Sequence, residues 1–311
     1  MANTERFSGV IAPALTPFKA DLSPDTERFV KHCNWLLEQG CAGLAVFGTT
    51  SEANSQSGAE RMALLEALVK SGIDPKVLMP GTGATSITEA VELTRHAVDL
   101  GCGGVLMLPP YYYKNVDDDG IFRFFDEVIQ RIADDRLQAY LYHIPPQTVF
   151  GFSLDLIGRL IDAYPGTVVG LKDSSGDWDN MAAILKNFPG FNMFPGAENH
   201  MLAGLRNGAA GCITATANAN PAKLRELYDK WQTPEADELQ ATITALRKTI
   251  QSFPMVPALK EIIAHFTGDS GWKVNRPPFT QMGAEEVRKL FVELEKHNFT
   301  LEQPKLAMAG N

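Results

Sequence analysis

Short apolar runs alternate with amphipathic stretches along most of the chain. Within a run, apolar or β-branched residues follow one another or alternate, which is typical of strands. In the stretch that follows, apolar residues recur three and four positions apart, as in a helix with one buried face. The first pair joins VIAPALTP (10–17) to a helical face marked by Phe29, Cys33 and Leu36. The pattern therefore predicts strands and helices in alternation.

The alternation recurs until about residue 233 and then stops. The apolar runs lie at residues 10–17, 41–48, 76–83, 104–110, 137–145, 168–172, 192–196 and 211–217. These eight strand-helix units predict an α/β fold of the (β/α)8 TIM-barrel type. In such a barrel the active site is built from loops at the carboxyl ends of the strands.

Helical patterns without strands follow near residues 234–252, 255–267 and 284–296. We therefore expect a catalytic barrel over residues 1–232 and a C-terminal helical domain over residues 233–311. No low-complexity linker separates the two parts, so the helical tail is expected to pack on the barrel.

Composition and charge narrow the class of protein. A chain of 311 residues with 45% apolar residues can bury a large core. Its formal net charge of -9 argues against a nucleic-acid partner, because such proteins present a dense basic face. The sequence has no run of about 18 apolar residues and no signal-peptide pattern. We therefore expect a cytoplasmic protein that does not bind a membrane.

The cysteines and histidines give no sign of a metal site. Each cysteine stands singly in a helix-like or strand-like segment, with no CxxC spacing and no histidine grouped beside it. The cysteines are Cys33, Cys41, Cys102 and Cys212. We expect buried, reduced thiols, no metal and no cofactor.

A lysine at the end of an apolar run is the main candidate for chemistry. In VVGLKDSSG (168–176), strand alternation places Val168, Gly170 and Lys172 on one face, which is predicted to point into the barrel. Burial disfavours the charged form of an amine, and only a neutral amine attacks a carbonyl to form an imine. The segment alone also allows a lysine that reaches solvent past the strand end or pairs with Asp173.

Four motifs favour the catalytic interpretation. In chain order they are GTTSE (48–52), PPYYY (109–113), YHIP (142–145) and GLKDSSG (170–176), and weaker support comes from GCITATAN (211–218), PALK (257–260) and RPPF (276–279). With these motifs the chain resembles, over nearly its whole length, the dihydrodipicolinate synthase and N-acetylneuraminate lyase family. Members of that family are pyruvate-dependent class I aldolases on a (β/α)8 barrel. The resemblance implies a lyase that acts on pyruvate or another small 2-oxo acid and an aldehyde.

The resemblance also implies roles for individual residues. Lys172 would form the Schiff base with the 2-oxo group, and Tyr142 would relay protons beside it. Thr49 and Thr50 would hold the carboxylate. Tyr112 would reach into the site of a neighbouring subunit, which requires a homo-oligomer, a dimer or a tetramer.

The resemblance implies one further role, for Ile213, and purely structural explanations of the two threonines and of Tyr142 remain possible. The backbone carbonyl of Ile213 would face the pyruvate pocket, although its side chain promises only a buried apolar contact. Without the resemblance, the two threonines could form an ordinary turn, and Tyr142 could be a core tyrosine with a satisfied hydroxyl.

Two positions bear on the substrate. Gln147 stands where family members that make dihydrodipicolinate carry an arginine for the carboxylate of the second substrate. Losing that charged donor should weaken binding of an anionic partner by about 1.5–3 kcal/mol, which makes a role in lysine biosynthesis doubtful. Glu198, in GAENH, matches an acidic residue with which neuraminate lyases and sugar-acid aldolases contact substrate hydroxyls. An acid at a helix N-terminus would explain it too.

The preferred interpretation is a Schiff-base-forming lyase that cleaves or forms a carbon–carbon bond between pyruvate and an aldehyde, with a hydroxylated 2-oxo acid as substrate. The alternatives within this chemistry are a 4-hydroxy-tetrahydrodipicolinate synthase with a substitute anion binder and a 2-oxo-3-deoxy sugar-acid dehydratase. A barrel that only binds pyruvate as a sensor, or one that shares only the architecture, would have the same fold.

Overall fold

A computed structural model describes residues 5–301, in which parallel strands form a ring surrounded by helices. The strands assigned in this part of the chain are β1 (Gly9–Ala12), β2 (Gly43–Leu44), β3 (Val105–Met107), β4 (Ala139–His143), β5 (Val168–Asp173), β6 (Asn192–Pro195) and β7 (Gly211–Ile213). They pair in the orders β2-β1-β7 and β3-β4-β5-β6, and all of these pairs are parallel.

The third predicted strand is reduced to isolated bridges. Residues 78–81 lie between β2 and β3 and bridge to Leu44 on one side and Leu106 on the other. A 3-10 turn at Pro75–Val77 begins the segment, and Pro80 has no amide hydrogen to donate. The longer strand predicted there therefore does not form.

The ring closes between β6 and β7, where the Ala210 amide donates to the Met193 carbonyl at 2.9 Å. Together with the bridging segment, eight extended segments of the described chain alternate with helices around the ring. The (β/α)8 barrel predicted from the sequence is confirmed.

The helices around the ring follow the predicted amphipathic stretches, except for a four-residue helix directly after β4 that the pattern does not predict. They are α1 (Thr26–Glu38), α2 (Gly58–Lys70), α3 (Ile87–Asp99), α4 (Asp118–Ile132), α5 (Pro145–Thr148), α6 (Leu154–Ala163), α7 (Trp178–Asn187), α8 (Met201–Arg206) and α9 (Pro221–Lys230). Several begin where a polar side chain accepts an amide hydrogen bond, as Ser57, Ser86 and Asp117 do for α2, α3 and α4.

The helical tail consists of α10 (Ala236–Gln251), α11 (Met255–Thr267) and α12 (Ala284–Glu295), close to the three predicted helices. Helix α10 packs against α8 and α9. Its Gln240 donates to the Glu198 carbonyl at 2.9 Å and accepts from the Leu202 amide at 2.9 Å. These bonds join the tail to the barrel, and a domain boundary between residues 232 and 233 remains a proposal.

A buried ion pair also ties the tail to the GTTSE motif. Lys260 of PALK donates to Glu52 at 2.5 Å, and both side chains are fully buried. Burial raises the pKa of Glu52 and lowers the pKa of Lys260, in each case against the attraction of the partner charge. The backbone amide of Arg276, in RPPF, donates to the other Glu52 oxygen at 3.3 Å. The two weaker tail motifs therefore contact GTTSE, one of the four main motifs.

A bulge in β5 decides which side chains enter the barrel. Tyr142 pairs with Lys172 and Tyr140 with Gly170, but Ala139 pairs with Val168, so the register shifts. Val168 packs on the outer core with the helices, and Val169 packs on the inner core. The predicted inward direction of Val168 is wrong, because strict alternation does not survive an extra residue. The inward direction predicted for Gly170 and Lys172 holds.

Gly170 is required by its neighbour inside the barrel. A Cβ atom at this position would lie 2.5 Å from the ring of Tyr140 and 2.4 Å from the Asn192 carbonyl oxygen. The missing side chain therefore leaves room for the Tyr140 ring across the barrel floor, below Lys172.

Candidate active site

Lys172 lies near the carboxyl end of β5, inside the ring, and only 5% of it is exposed. Its Nζ donates to Tyr142 Oη on the neighbouring strand at 3.2 Å, and Nζ lies 4.3 Å from the centroid of the same ring. The alternative of an ion pair with Asp173 finds no support, since the Asp173 oxygens accept hydrogen bonds from Ser175 and Asn180. The amine is thus enclosed and faces a phenol.

The Tyr142 hydroxyl lies between Lys172 and Thr49. Thr49 Oγ1 is 3.3 Å from Tyr142 Oη. Burial raises the pKa of Tyr142, but the Lys172 charge and the hydrogen bond with Thr49 outweigh burial, so the pKa lies below that of an ordinary phenol. In Tyr140, burial outweighs the hydrogen bond from the Phe7 amide and the charge of Arg6, and it raises the pKa to about 12. The Tyr142 phenol therefore gives up its proton more readily than an ordinary phenol does.

A cavity of about 360 Å³ opens above Lys172. The polar side chains that line it are Thr49, Thr50, Tyr142, Gln147, Lys172, Asp173, Ser174, Ser175, Asn199, His200, Arg247 and Gln251. The structure thus brings together Lys172 and Tyr142 from two strands, Thr49 and Thr50 from the loop after β2, and Gln147 from the short helix α5. This size suits a small polar ligand.

Glu198 and Ile213 do not line this cavity. Glu198 is 1% exposed, and its carboxylate accepts hydrogen bonds from the Thr214 and Thr216 hydroxyls and from Arg247. The predicted direct contact between Glu198 and substrate hydroxyls is therefore corrected, because three protein donors occupy the carboxylate. Ile213 is fully buried in the inner core beside Tyr142, as its apolar side chain requires.

Tyr112 lies away from the cavity of its own chain. It is 71% exposed and packs edge-to-face against Tyr113, which is 75% exposed. Tyr111, in contrast, donates to Asn54 at 3.0 Å. A contribution of Tyr112 to the site of a second subunit remains a prediction.

Sequence reasoning missed Arg247 and Gln251, which reach the cavity from α10 of the tail. A signal was present in the helix, because Arg247 stands between the buried positions Ile243, Leu246 and Ile250 on the apolar face. An arginine on such a face needs a partner, and Glu198 is that partner at 3.1 Å.

The four cysteines are buried and unpaired, and burial raises the pKa of Cys41 to about 12. Over residues 5–301, no group of three or more His, Cys, Asp or Glu side chains could hold a metal ion. None of the helices in that range is long and apolar enough to cross a membrane.

A buried amine beside a phenol, at the carboxyl end of a barrel strand, is typical of enzymes that work through an imine. The model of the dihydrodipicolinate synthetase family matches residues 6–297, and the chain belongs to this family. It is an enzyme of the class I aldolase type, a lyase, as the sequence motifs predict.

Individual relatives are similar over most of their length. An uncharacterized DapA-like lyase of Chloroflexus aurantiacus is 33% identical over 290 residues, which cover 93% of this chain and 96% of that protein. A 4-hydroxy-tetrahydrodipicolinate synthase of Rhizobium meliloti is 31% identical over 258 residues, which cover 82% and 86%. The crystal structure of dihydrodipicolinate synthase from Agrobacterium tumefaciens superposes with a TM-score of 0.87 at 32% identity and covers 93% of this chain and 99% of that one.

Proposed function

We propose that the protein condenses Lys172 with pyruvate or a related 2-oxo acid and uses the imine to make or break a carbon–carbon bond to an aldehyde. The observation that carries the proposal is the Lys172 amine, enclosed by the barrel and 3.2 Å from the Tyr142 hydroxyl beneath a polar cavity. The protein would work without a metal or organic cofactor, in the cytoplasm and as a homo-oligomer.

The first step joins the amine to the 2-oxo carbon. The neutral Lys172 nitrogen attacks that carbon, the carbonyl oxygen takes up two protons and leaves as water, and the protonated imine remains. Loss of a proton from the adjacent carbon gives an enamine, whose electron pair attacks the aldehyde carbon while the aldehyde oxygen gains a proton. Water then hydrolyses the imine and frees the amine. Cleavage runs through the same steps in reverse.

Tyr142 and the threonines would serve this sequence in different ways. The Tyr142 hydroxyl contacts the amine directly, so it can give a proton to the departing oxygen and take it back from water. Thr49 fixes that hydroxyl at 3.3 Å, and with Thr50 it supplies donors for the carboxylate next to the reacting carbon.

The relatives named as 4-hydroxy-tetrahydrodipicolinate synthases support that reaction as a second candidate. Gln147 is neutral, so the synthase reaction would need another residue of the cavity to supply the cation that binds the carboxylate of the second substrate. A 2-oxo-3-deoxy sugar-acid dehydratase would use the same imine but lose water from the chain. A pyruvate sensor would bind without turnover.

Trapping the imine tests the proposal. Incubation with pyruvate and sodium borohydride should add the mass of a reduced pyruvate adduct, and Lys172→Ala should abolish the addition. Lys186→Ala, at an exposed lysine of α7, is the control and should keep it. Absence of the adduct from the unaltered protein would refute imine chemistry. A panel of aldehydes, assayed for pyruvate consumption, then separates the lyase and synthase from a sensor, which would turn over none.

A further inference from the structure

The tail supplies a cation to the wall of the proposed active-site cavity. Among the described lining residues, Lys172 and Arg247 are the only lysine or arginine side chains. Arg247 projects from α10, and 13% of its side chain is exposed. With Lys172 bound to the ligand as an imine, Arg247 is the remaining lysine or arginine of the described lining residues that can recognise the rest of the ligand.

Arg247 is held through two of its three nitrogens. Nη1 donates to Glu198 Oε2 at 3.1 Å and to Thr214 Oγ1 at 3.0 Å, and Nε donates to Gln251 Oε1 at 3.1 Å. Nη2 donates to no residue within 5–301. The guanidinium is thus fixed in position, and its Nη2 has no acceptor among residues 5–301. This nitrogen can donate to a ligand without reorganisation of the side chain.

The carboxylates near this donor are already satisfied. Glu198 accepts from Thr214 and Thr216 as well as from Arg247, so three donors share its charge and it does not face the cavity. Asp173 is occupied by Ser175 and Asn180. This region therefore offers a charged donor rather than an acceptor. A carboxylate gains both the hydrogen bond and the charge there, whereas a hydroxyl gains the hydrogen bond alone.

We propose that Arg247 selects ligands that carry a second carboxylate at the end remote from the 2-oxo group. The inference rests on the proposed imine at Lys172. At about 30 Å³ of liquid volume per water-sized group, pyruvate fills no more than about half of the cavity, so a longer chain has space. Arg247 would thereby supply the cation that Gln147 does not, from the tail instead of from the short helix α5 after β4.

Two acids of equal length provide the test, since 2-oxoglutarate ends in a carboxylate and 2-oxopentanoate ends in a methyl group. The measurement is the concentration of each acid that gives half-maximal borohydride trapping, read by mass spectrometry. The unaltered protein should need at least about 10-fold less 2-oxoglutarate than 2-oxopentanoate, the scale of one charge-assisted hydrogen bond. Arg247→Gln should remove the difference. Lys248→Gln, the exposed neighbour on α10, should retain it.

Pyruvate separates the two proposals, because it has no second carboxylate. Arg247→Gln should still trap pyruvate, which also shows that the variant is folded. Arg247→Lys keeps a charge beside Glu198 but lacks the planar fork, and it should lose most of the preference. Two outcomes would show that the inference about Arg247 is wrong and leave the proposed function unaffected. In both, pyruvate is trapped. In the first, the unaltered protein does not prefer 2-oxoglutarate over 2-oxopentanoate, and in the second, Arg247→Gln keeps that preference. If pyruvate is not trapped by the unaltered protein, both fail.

Discussion

The Tyr142 hydroxyl links the amine to the rest of the site, and its titration should be visible in the pH dependence of activity. A phenol must be protonated to donate, so kcat/KM should fall as pH rises through the lowered pKa of Tyr142, before the value of about 10 typical of a free tyrosine. Tyr142→Phe should lower kcat by roughly 10² to 10⁴-fold and lack this alkaline limb.

Tyr140→Phe is the matched control, because it removes a buried hydroxyl from the same strand without touching the cavity. It should keep the alkaline limb. A limb of the same shape in Tyr142→Phe would assign that titration to another group.

At the scale of single residues, the sequence best predicts which side chains lie close together where each of them stands in a short motif at the end of a strand. Lys172 and Tyr142 are both predictable, since each ends an apolar run and parallel strands carry such ends to one edge. The burial of Glu198 is not predictable, because its partner Thr214 lies just after the next strand and its partner Arg247 lies in a tail helix. Their meeting depends on tertiary packing, which no local pattern encodes.

At the scale of elements, the same limit applies to strand register. The helices of the tail are predictable to within a few residues, because an apolar face repeats over several turns. The bulge that turns Val169 inward is not predictable, since a single unpaired residue does not change the pattern of a short apolar run. A long repeating pattern, such as that of a helix, therefore predicts structure better than a short apolar run does.

The contact between α11 and the GTTSE turn should be energetically strong. Lys260→Met leaves the fully buried Glu52 carboxylate without its counter-charge, and it should lower the free energy of unfolding by about 3–5 kcal/mol. The double variant Glu52→Gln with Lys260→Met removes both charges and should recover most of that loss. Urea unfolding measures each value.

The control for this cycle is Lys289→Met, which removes an exposed ion pair with Glu285. It should change the free energy of unfolding by no more than about 0.5 kcal/mol. A double variant as unstable as Lys260→Met alone would mean that the lysine acts through packing and not through its charge. Because Glu52 stands two residues after Thr50 in the same turn, Lys260→Met is also expected to weaken pyruvate trapping.

At the scale of the whole molecule, barrel and tail share the cavity. Strands β4 and β5 supply the phenol and the amine, and α10 supplies Arg247 and Gln251. A barrel truncated before α10 would therefore lose a wall of the site as well as the Lys260 ion pair. This joint construction explains why motifs of the tail accompany those of the barrel. The exposed rings of Tyr112 and Tyr113, in PPYYY, do not line the cavity.

Mixing two inactive variants tests whether Tyr112 acts across subunits. Tyr112→Phe keeps its own Lys172, and Lys172→Ala keeps its own Tyr112, so a hybrid dimer holds one complete site only if the tyrosine is delivered in trans. Unfolding and refolding the variants together should restore up to about a quarter of the wild-type activity, since about half of randomly paired dimers are hybrids with one good site each.

Lys172→Ala refolded with Tyr142→Phe is the control for this complementation, because Lys172 and Tyr142 hydrogen-bond within one chain and no hybrid can combine them. That mixture should stay inactive. Sedimentation should show an oligomer in both mixtures, since the exposed pair Tyr112 and Tyr113 would otherwise leave two aromatic rings in water. Oligomers without restored activity in the first mixture would exclude the contribution of Tyr112 in trans, and the 71% exposed side chain would then belong to the interface alone.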